Sequence, residues 1–565
     1  MKKKTVIILS IFLIIGFLLR FIQIDKVPPG FDWDERSHAY NALSIAQTGK
    51  DEWGKSFPPI FRAFGDNKLP LYTYFTAFFV KIFGMNIVSA KLTAIFSGVL
   101  SILIIYFIFK ELFNNKKWAF LAAFFMVFSP HSLFFSRIAL EPILANLLII
   151  IGFLFAIKFL KKKSLVHFFL ATIFFIASLF TYHLARVIAP ILLFFLFIFA
   201  FLNLKKTSRH IIFYITMLLV TSIFIFSQYG SESVLKFKTA GLFGQNKGAV
   251  MAIDEFRGHD KNNLVSRILH NKATFFSFAL VGNYVSHFSF DYLLNFRETN
   301  SVQQSYFPPI FIVMLPFYYF GLMFLVKDIF SKKKFEEKLI TLFFLIWILV
   351  SPISSTITET APDSRRALGS LGTWEILTTY GLFMVFLKIK KDGLKKIFFI
   401  IFTALYLISL ILFLNNFFRI YPNKYDYVYA FKENKIAKLI KNDYSKYDYF
   451  IYSRIAANQP QIFALTALNY PPEKYMREKK WIEKDRWFSI NEFDKFLFYD
   501  EITPKILSSR RFKGKEIALF LTRDEYLKNI EFVKNNVLFQ DTYPSKASYD
   551  TGEPKEILYF IVIKL

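Results

Sequence analysis

Leu69-Pro70-Leu71-Tyr72-Thr73-Tyr74-Phe75-Thr76-Ala77-Phe78-Phe79-Val80-Lys81-Ile82-Phe83-Gly84 is the stretch on which the topology turns. It is apolar, but it is only 16 residues long and Lys81 interrupts it. A helix needs about 20 mostly apolar residues to cross a bilayer. If this stretch crosses, every later loop changes sides. The lysines decide the matter. With 69–84 on the surface, loops 110–117, 158–163, 205–209, 327–338 and 388–396 share the side of Lys2, Lys3 and Lys4. Those loops hold nearly all the short-loop lysines, and lysine-rich loops stay cytoplasmic. The stretch is therefore predicted to be an amphipathic helix lying in the outer interface.

The rest of the chain agrees with a membrane setting. Of 565 residues, 54% are hydrophobic and 20% aromatic, with 75 Phe. That exceeds the apolar share of a soluble domain. Long apolar windows recur, the pattern of a polytopic helical membrane protein. Eleven spans are expected, at 5–23, 88–109, 117–134, 139–160, 165–181, 187–204, 210–228, 308–327, 338–355, 367–387 and 396–417. No small-x-small cleavage site follows the first apolar run, so it reads as an uncleaved helix. The net charge is +28. Its lysines lie between spans, where they set topology and face anionic lipid, so no nucleic-acid partner is expected. Cysteine is absent, which excludes disulfides, thiolate chemistry, and cysteine-based zinc or iron–sulfur sites.

The remaining loops then face outward: 24–87, 135–138, 182–186, 229–307, 356–366 and everything after about 418. This divides the chain into a transmembrane domain, 1–418, and an outer domain, 419–565. The outer domain carries charge throughout. Tyr449-Phe450-Ile451-Tyr452, Ile517-Ala518-Leu519-Phe520-Leu521 and Ile557-Leu558-Tyr559-Phe560-Ile561-Val562 read as strands. Helices are expected near 430–441 and 459–469. The fold class is mainly α, with interfacial helices outside and a small C-terminal α/β domain.

The outward loops collect the reactive side chains. Asp34-Glu35 follows the first span, and a carboxylate there can serve as a general base for a hydroxyl within hydrogen-bond reach. Gly65-Asp66-Asn67-Lys68 leads into the surface helix, and Lys68 is placed to meet a phosphate. Ser136-Arg137-Ile138-Ala139-Leu140-Glu141-Pro142 and Thr181-Tyr182-His183-Leu184-Ala185-Arg186 put an arginine at the outer end of a helix. Glu141 lies about one turn into its span, a depth at which an acid usually faces a cavity or a partner. Arg365-Arg366 adds two guanidiniums, whose forks match phosphate oxygens. One face thus holds carboxylates and cations together. A transferase with a phosphate leaving group needs both: a base for the acceptor and cations for the departing charge.

This ordered series resembles the GT-C superfamily of membrane glycosyltransferases. It is most similar to the bacterial relatives of protein O-mannosyltransferases and of the lipid A aminoarabinose transferases. Asn283-Tyr284-Val285-Ser286-His287-Phe288-Ser289-Phe290 in the large outer loop adds to the likeness, which covers roughly residues 5–420. The resemblance implies a membrane enzyme of the cell envelope. It would transfer a sugar from a polyprenyl-phosphate donor to a protein, lipid or glycan acceptor, with inversion, outside a bacterial cytoplasmic membrane. It implies Asp34 as base with Glu35 beside it, and Lys68, Arg365 and Arg366 on the donor phosphate. Asp66, Arg137, Glu141, Tyr182, His183, Arg186 and His287 would line the pocket. Asn67 departs from the aminoarabinose branch, which has a metal-binding glutamate there. A divalent metal would then need Asp66, His38 and His287, and no other cofactor is implied.

Two other readings remain. A transporter or flippase of lipid-linked glycans would show inverted halves and midplane charges; no internal repeat is present and most charges sit at helix ends. A membrane-anchored binding module would keep its activity in 418–565 alone, where no site is evident.

Overall fold

Apolar runs, closed by polar or proline-containing turns, become the expected helices. The computed structural model describes all residues except 1–2, 204–209, 211–212, 215–216, 219, 222–240, 243–246, 261–262, 296–304, 426–430, 457–458, 485–486 and 545–556. Among the described residues, eight helices are long and apolar enough to cross a membrane. They are Lys3–Phe21, Ile87–Phe113, Pro142–Lys162, Ala185–Leu202, Ile312–Ile329, Phe335–Thr356, Leu368–Lys388 and Asp392–Lys424. Each matches one of the eleven expected spans.

The other three differ. The expected span 210–228 lies mostly outside the described residues. The run at 165–181 forms a helix of only 15 residues, Leu165–Leu179. The run at 117–134 is broken into Lys116–Val127 and Pro130–Phe135. Ser129 caps the second piece and Pro130 opens it. Proline has no N–H to continue the preceding helix. Arg20, fully buried near the end of the first helix, secures the break. Its guanidinium donates to the carbonyls of Met126 and Val127, each at 3.4 Å, and to Ser132 Oγ at 2.7 Å. A cation on the last carbonyls of a helix satisfies groups that have no partner within the helix. An apolar-run count misses this break because Phe128, Leu133 and Phe134 keep the run apolar.

Contacts divide the chain into two compact units. The first is drawn from Met1–Arg20, Ala94–Ser136 and Glu141–Phe413, and holds most of the spanning helices. Two of these, Leu315–Ile329 and Thr373–Lys388, pack backbone to backbone. A Cβ at Gly321 would lie 2.1 Å from the Leu377 carbonyl oxygen, and one at Gly381 would lie 1.9 Å from that of Phe317. Small residues permit such approach in lipid, where no hydrophobic force drives helices together.

The second unit is drawn from Phe21–Thr93, Arg137–Leu140 and Leu414–Leu565. It contains α2 (Trp33–Thr48), a hairpin of β1 (Phe61–Ala63) and β2 (Asp66–Lys68), and α3 (Pro70–Phe83). Helix α3 is the stretch that decided the topology. Tyr72, Thr73, Thr76, Ala77 and Val80 are buried, while Phe75, Phe78 and Ile82 are exposed on another face. The tail folds as a seven-stranded sheet in the order β4-β5-β6-β3-β7-β9-β8. These strands are β3 (Tyr449–Ser453), β4 (Lys480–Lys484), β5 (Trp487–Phe493), β6 (Phe496–Tyr499), β7 (Glu516–Thr522), β8 (Val537–Pro544) and β9 (Ile557–Lys564). Strand β3 pairs in parallel with β6 and β7; the other pairings are antiparallel. Expected strands β3, β7 and β9 are present, as are helices at Phe431–Asp443 and Pro460–Leu468. Four strands were missed. β4 and β8 lie at the sheet's edges and carry charged or exposed residues, so no short apolar run marks them.

Candidate active site

Asp34 and Glu35 were read as loop residues, but they occupy the first turn of α2. Asp32 caps that helix and Glu35 completes a capping box by accepting the Asp32 N–H at 3.0 Å. The spacing Asp32-x-x-Glu35 was the available signal for a helix start.

The three carboxyl groups have distinct surroundings. Both oxygens of buried Glu35 face backbone donors: Oε2 takes Asp32 N–H, and Oε1 takes Ala139 N–H at 2.7 Å. Lys91 Nζ stands 4.0 Å from Oε1. Glu35 thereby ties the 137–140 segment to the head of α2. Asp32 accepts the Trp33 N–H at 2.7 Å, and its other oxygen is buried without a hydrogen-bond partner among the described residues. Burial, then the charges of Asp34 and Glu35, push its carboxyl well above the usual range, against the Trp33 N–H and Lys68. Asp34 is the most accessible of the three, with its side chain 25% exposed. Lys68 Nζ lies 2.8 Å from Asp34 Oδ1 and donates to the Asp34 carbonyl oxygen at 2.8 Å.

The hairpin puts Lys68 there. Phe61 pairs with Lys68 and Arg62 with Asn67 in a two-stranded ladder. The lysine ends β2 just before Pro70 opens α3. The backbone of Asp66 lies in the same strand, while its side chain lies outside the described residues. Arg137 is buried in this unit too. It donates to the carbonyls of Val27 at 2.8 Å and Ile22 at 2.7 Å, and lies over the rings of Phe417 and Phe418. Burial pulls it down to about 9 despite Asp25. Arg36, which was not singled out from the sequence, donates to Phe31 O, Thr466 Oγ1 and Asn434 Oδ1. It stitches the head of α2 to the tail helices.

The other candidates lie in the first unit. Asp363, buried, accepts the N–H groups of Arg365 at 2.9 Å and Arg366 at 3.0 Å. Arg366 Nε is 3.7 Å from Asp363 Oδ2, and its Nη1 donates to Thr360 Oγ1. Tyr182 feels this turn directly. Burial pushes its phenol up to about 12; Arg365 and Arg366 oppose this, and Asp363 and Glu141 add to it. Tyr182, Arg365, Arg366, Asp363 and Glu141 are therefore one electrostatic group. Glu141 stands at the head of Pro142–Lys162 and is nearly buried. Arg186 donates to Leu179 O at 3.3 Å, with His183 in the turn before it. His287 is buried, with Nδ1 2.7 Å from Asn283 O and its ring against Tyr292.

Among the described residues, no three His, Asp or Glu side chains come together to hold a metal ion. His38 Nδ1 is bonded to Thr73 Oγ1 at 2.9 Å. Asp66, which the metal site considered from the sequence would also need, has its side chain outside the described residues.

A family model described as dolichyl-phosphate-mannose-protein mannosyltransferase matches residues 67–227, the segment that carries Lys68, Arg137, Glu141 and Arg186. No curated protein matches the chain by sequence. Its fold is similar to that of the archaeal oligosaccharyltransferase AglB from Archaeoglobus fulgidus, solved with an inhibitory peptide and a dolichol-phosphate. The two are 13% identical with a TM-score of 0.51, over 83% of this chain and 64% of that one. The chain thus spans somewhat under two thirds of AglB. It is also similar to ArnT from Cupriavidus metallidurans, solved bound to undecaprenyl phosphate. Here the identity is 10% and the TM-score 0.50, over 98% of this chain and 97% of that one. At such identities the likeness is one of fold. The chain thus shares a fold with these two proteins, and several of its helices are able to span a membrane.

Proposed function

We propose that this protein is an integral-membrane glycosyltransferase that moves a sugar from a polyprenyl-phosphate carrier to an acceptor hydroxyl, with inversion. The observation that carries the reading is the pairing of an accessible carboxylate, Asp34, with Lys68 at the head of α2, in a chain with a GT-C-like fold. The carrier lipids in the ArnT and AglB structures support a donor of that class.

Asp34 takes the proton of the acceptor hydroxyl. The acceptor oxygen then bonds to the anomeric carbon from the side opposite the phosphate. The bond from that carbon to the phosphate oxygen breaks, and its electron pair leaves with the carrier. Lys68 meets the charge that builds there. Arg365 and Arg366 are proposed as further phosphate ligands on the chemistry of their forks. Glu35, with both oxygens on backbone donors, is a positioning residue for Asp34. The lysine distribution supports an outer-face site in a bacterial cytoplasmic membrane, with α3 in the interface and 419–565 outside. Arg36 supports a bracing role for the tail, next to a protein, lipid or glycan acceptor.

The test is single-turnover transfer from a panel of labelled polyprenyl-phosphate sugars, with mixed membrane acceptors. Wild type should discharge one donor, and Asp34→Asn should slow that step by about 10²–10⁴-fold, the usual worth of a general base. Transfer by Asp34→Asn at the wild-type rate would remove Asp34 from this role.

A further inference from the structure

The lysine expected to hold the carrier phosphate is already engaged, and its partner is the base. Lys68 Nζ bonds Asp34 twice, through the carboxylate and the backbone carbonyl, each at 2.8 Å. An ammonium has three N–H donors, and the Phe64 ring lies near the remaining side at 5.9 Å. The Lys68 side chain is 8% exposed, so its head group is reached where the more open Asp34 lies. Three carboxyl groups act on this one cation: Asp34 by contact, Asp32 and Glu52 through space. A lipid phosphate would be a further acceptor on the same ammonium.

We propose that the donor phosphate and Asp34 compete for Lys68, so that carrier binding and release of the base are one event. This rests on the reading of Asp34 and Lys68 given above and concerns the regulation of that site. In the free protein Lys68 holds the carboxylate in place and makes it a poor proton acceptor, because a neighbouring cation favours the charged form. The donor's phosphodiester carries one negative charge, as the carboxylate does, and its two unbridged oxygens compete for the same ammonium. Asp34 keeps its position at the first turn of α2 but gives up its ion pair with Lys68, and its affinity for a proton rises. The base is thus masked until a donor is present, which protects the site from idle proton uptake. Coupling of this kind is reciprocal: whatever phosphate does to the Asp34–Lys68 pair, the pair does to phosphate affinity.

The reciprocity supplies the test. Binding of undecaprenyl phosphate to the full-length protein in detergent is measured for wild type, Asp34→Asn, Asp34→Ser, Lys68→Met and Lys68→Met with Asp34→Asn. Removing the competing carboxylate should tighten binding by about tenfold, within the usual range of coupling between sites. Asn and Ser variants should agree, since both suit a helix start. Lys68→Met should weaken binding, and on that background Asp34→Asn should give no gain. Equal or weaker binding by both Asp34 variants would overturn the proposal. So would a gain that persists without Lys68, because it would mark plain repulsion between the carboxylate and phosphate. If wild type shows no saturable binding of undecaprenyl phosphate while folded, the reading of the site itself fails, and this proposal with it.

Discussion

At residues 32–35 an aspartate accepts a backbone N–H, and two acids, Asp34 and Glu35, follow it. At 363–366 an aspartate again accepts backbone N–H groups, and the side chains that follow are guanidiniums. The local device is shared: a short carboxyl side chain bonding nearby backbone donors. What differs is how much charge each turn leaves for other work. In the first, Glu35 is committed to two backbone N–H groups and Asp34 pairs with Lys68. In the second, the aspartate holds the backbone of both arginines and lies 3.7 Å from the Arg366 guanidinium. Adjacent residues of the same type can therefore have different roles, and atom-by-atom partners separate them.

The sharpest way to break that comparison is within the first turn. Asp34→Asn should lose about 10²–10⁴-fold in transfer with little loss of stability. Glu35→Gln should do the reverse. It can satisfy only part of the Asp32 and Ala139 bonding, so it should cost about 1–3 kcal/mol while transfer per folded molecule stays well above that of Asp34→Asn. Thermal unfolding beside single-turnover rates checks both. Equal rate losses would mean the two acids share one role.

The second turn makes a similar claim with a smaller effect. Asp363→Ala leaves the Arg365 and Arg366 N–H groups without their acceptor, at about 1–3 kcal/mol. It should also weaken donor binding more than it slows bound donor. Undiminished donor affinity would detach this turn from the phosphate.

A pH experiment sharpens the role of the second unit. Burial, opposed by Lys479 and Asn41, raises Glu52 to about 7. The folded value lies above the unfolded one, so stability from this group is complete below about pH 4. It is lost as pH rises through about 7. Wild type should lose melting temperature across that window, and Glu52→Gln should lose less. Identical slopes would show that Glu52 does not titrate there.

The smallest effect belongs to Arg62, whose guanidinium lies 4.4 Å from the Phe488 ring centre and 5.5 Å from that of Trp53. Arg62→Ala should cost about 0.5–1 kcal/mol, the worth of an exposed cation–π contact, and leave transfer unchanged. A large loss of transfer would mean that the β1–β2 hairpin passes strain to Lys68.

Much of the architecture follows from one-dimensional pattern. Length of apolar run located eight helices able to span a membrane and the shorter helix α3, because burial in hydrocarbon acts on whole segments. The central strands β3, β7 and β9 were visible for the same reason: their short runs are buried in the sheet. Edge strands β4 and β8 were not, because an edge position places no uniform demand on side chains. The break at Ser129-Pro130 needed Arg20, more than a hundred residues earlier, to be understood. The same divide runs through the site. Sequence alone determined which chemical groups are available: adjacent acids after the first span, a lysine before α3, and paired arginines at 365–366. Only tertiary structure decided which atoms remain available. Glu35 is occupied by the backbone of a segment 104 residues away, and Lys68 by Asp34, 34 residues before it. Hydrogen bonds and ion pairs act over a few ångströms and exclude one another, so their allocation depends on three-dimensional neighbours that sequence spacing does not record.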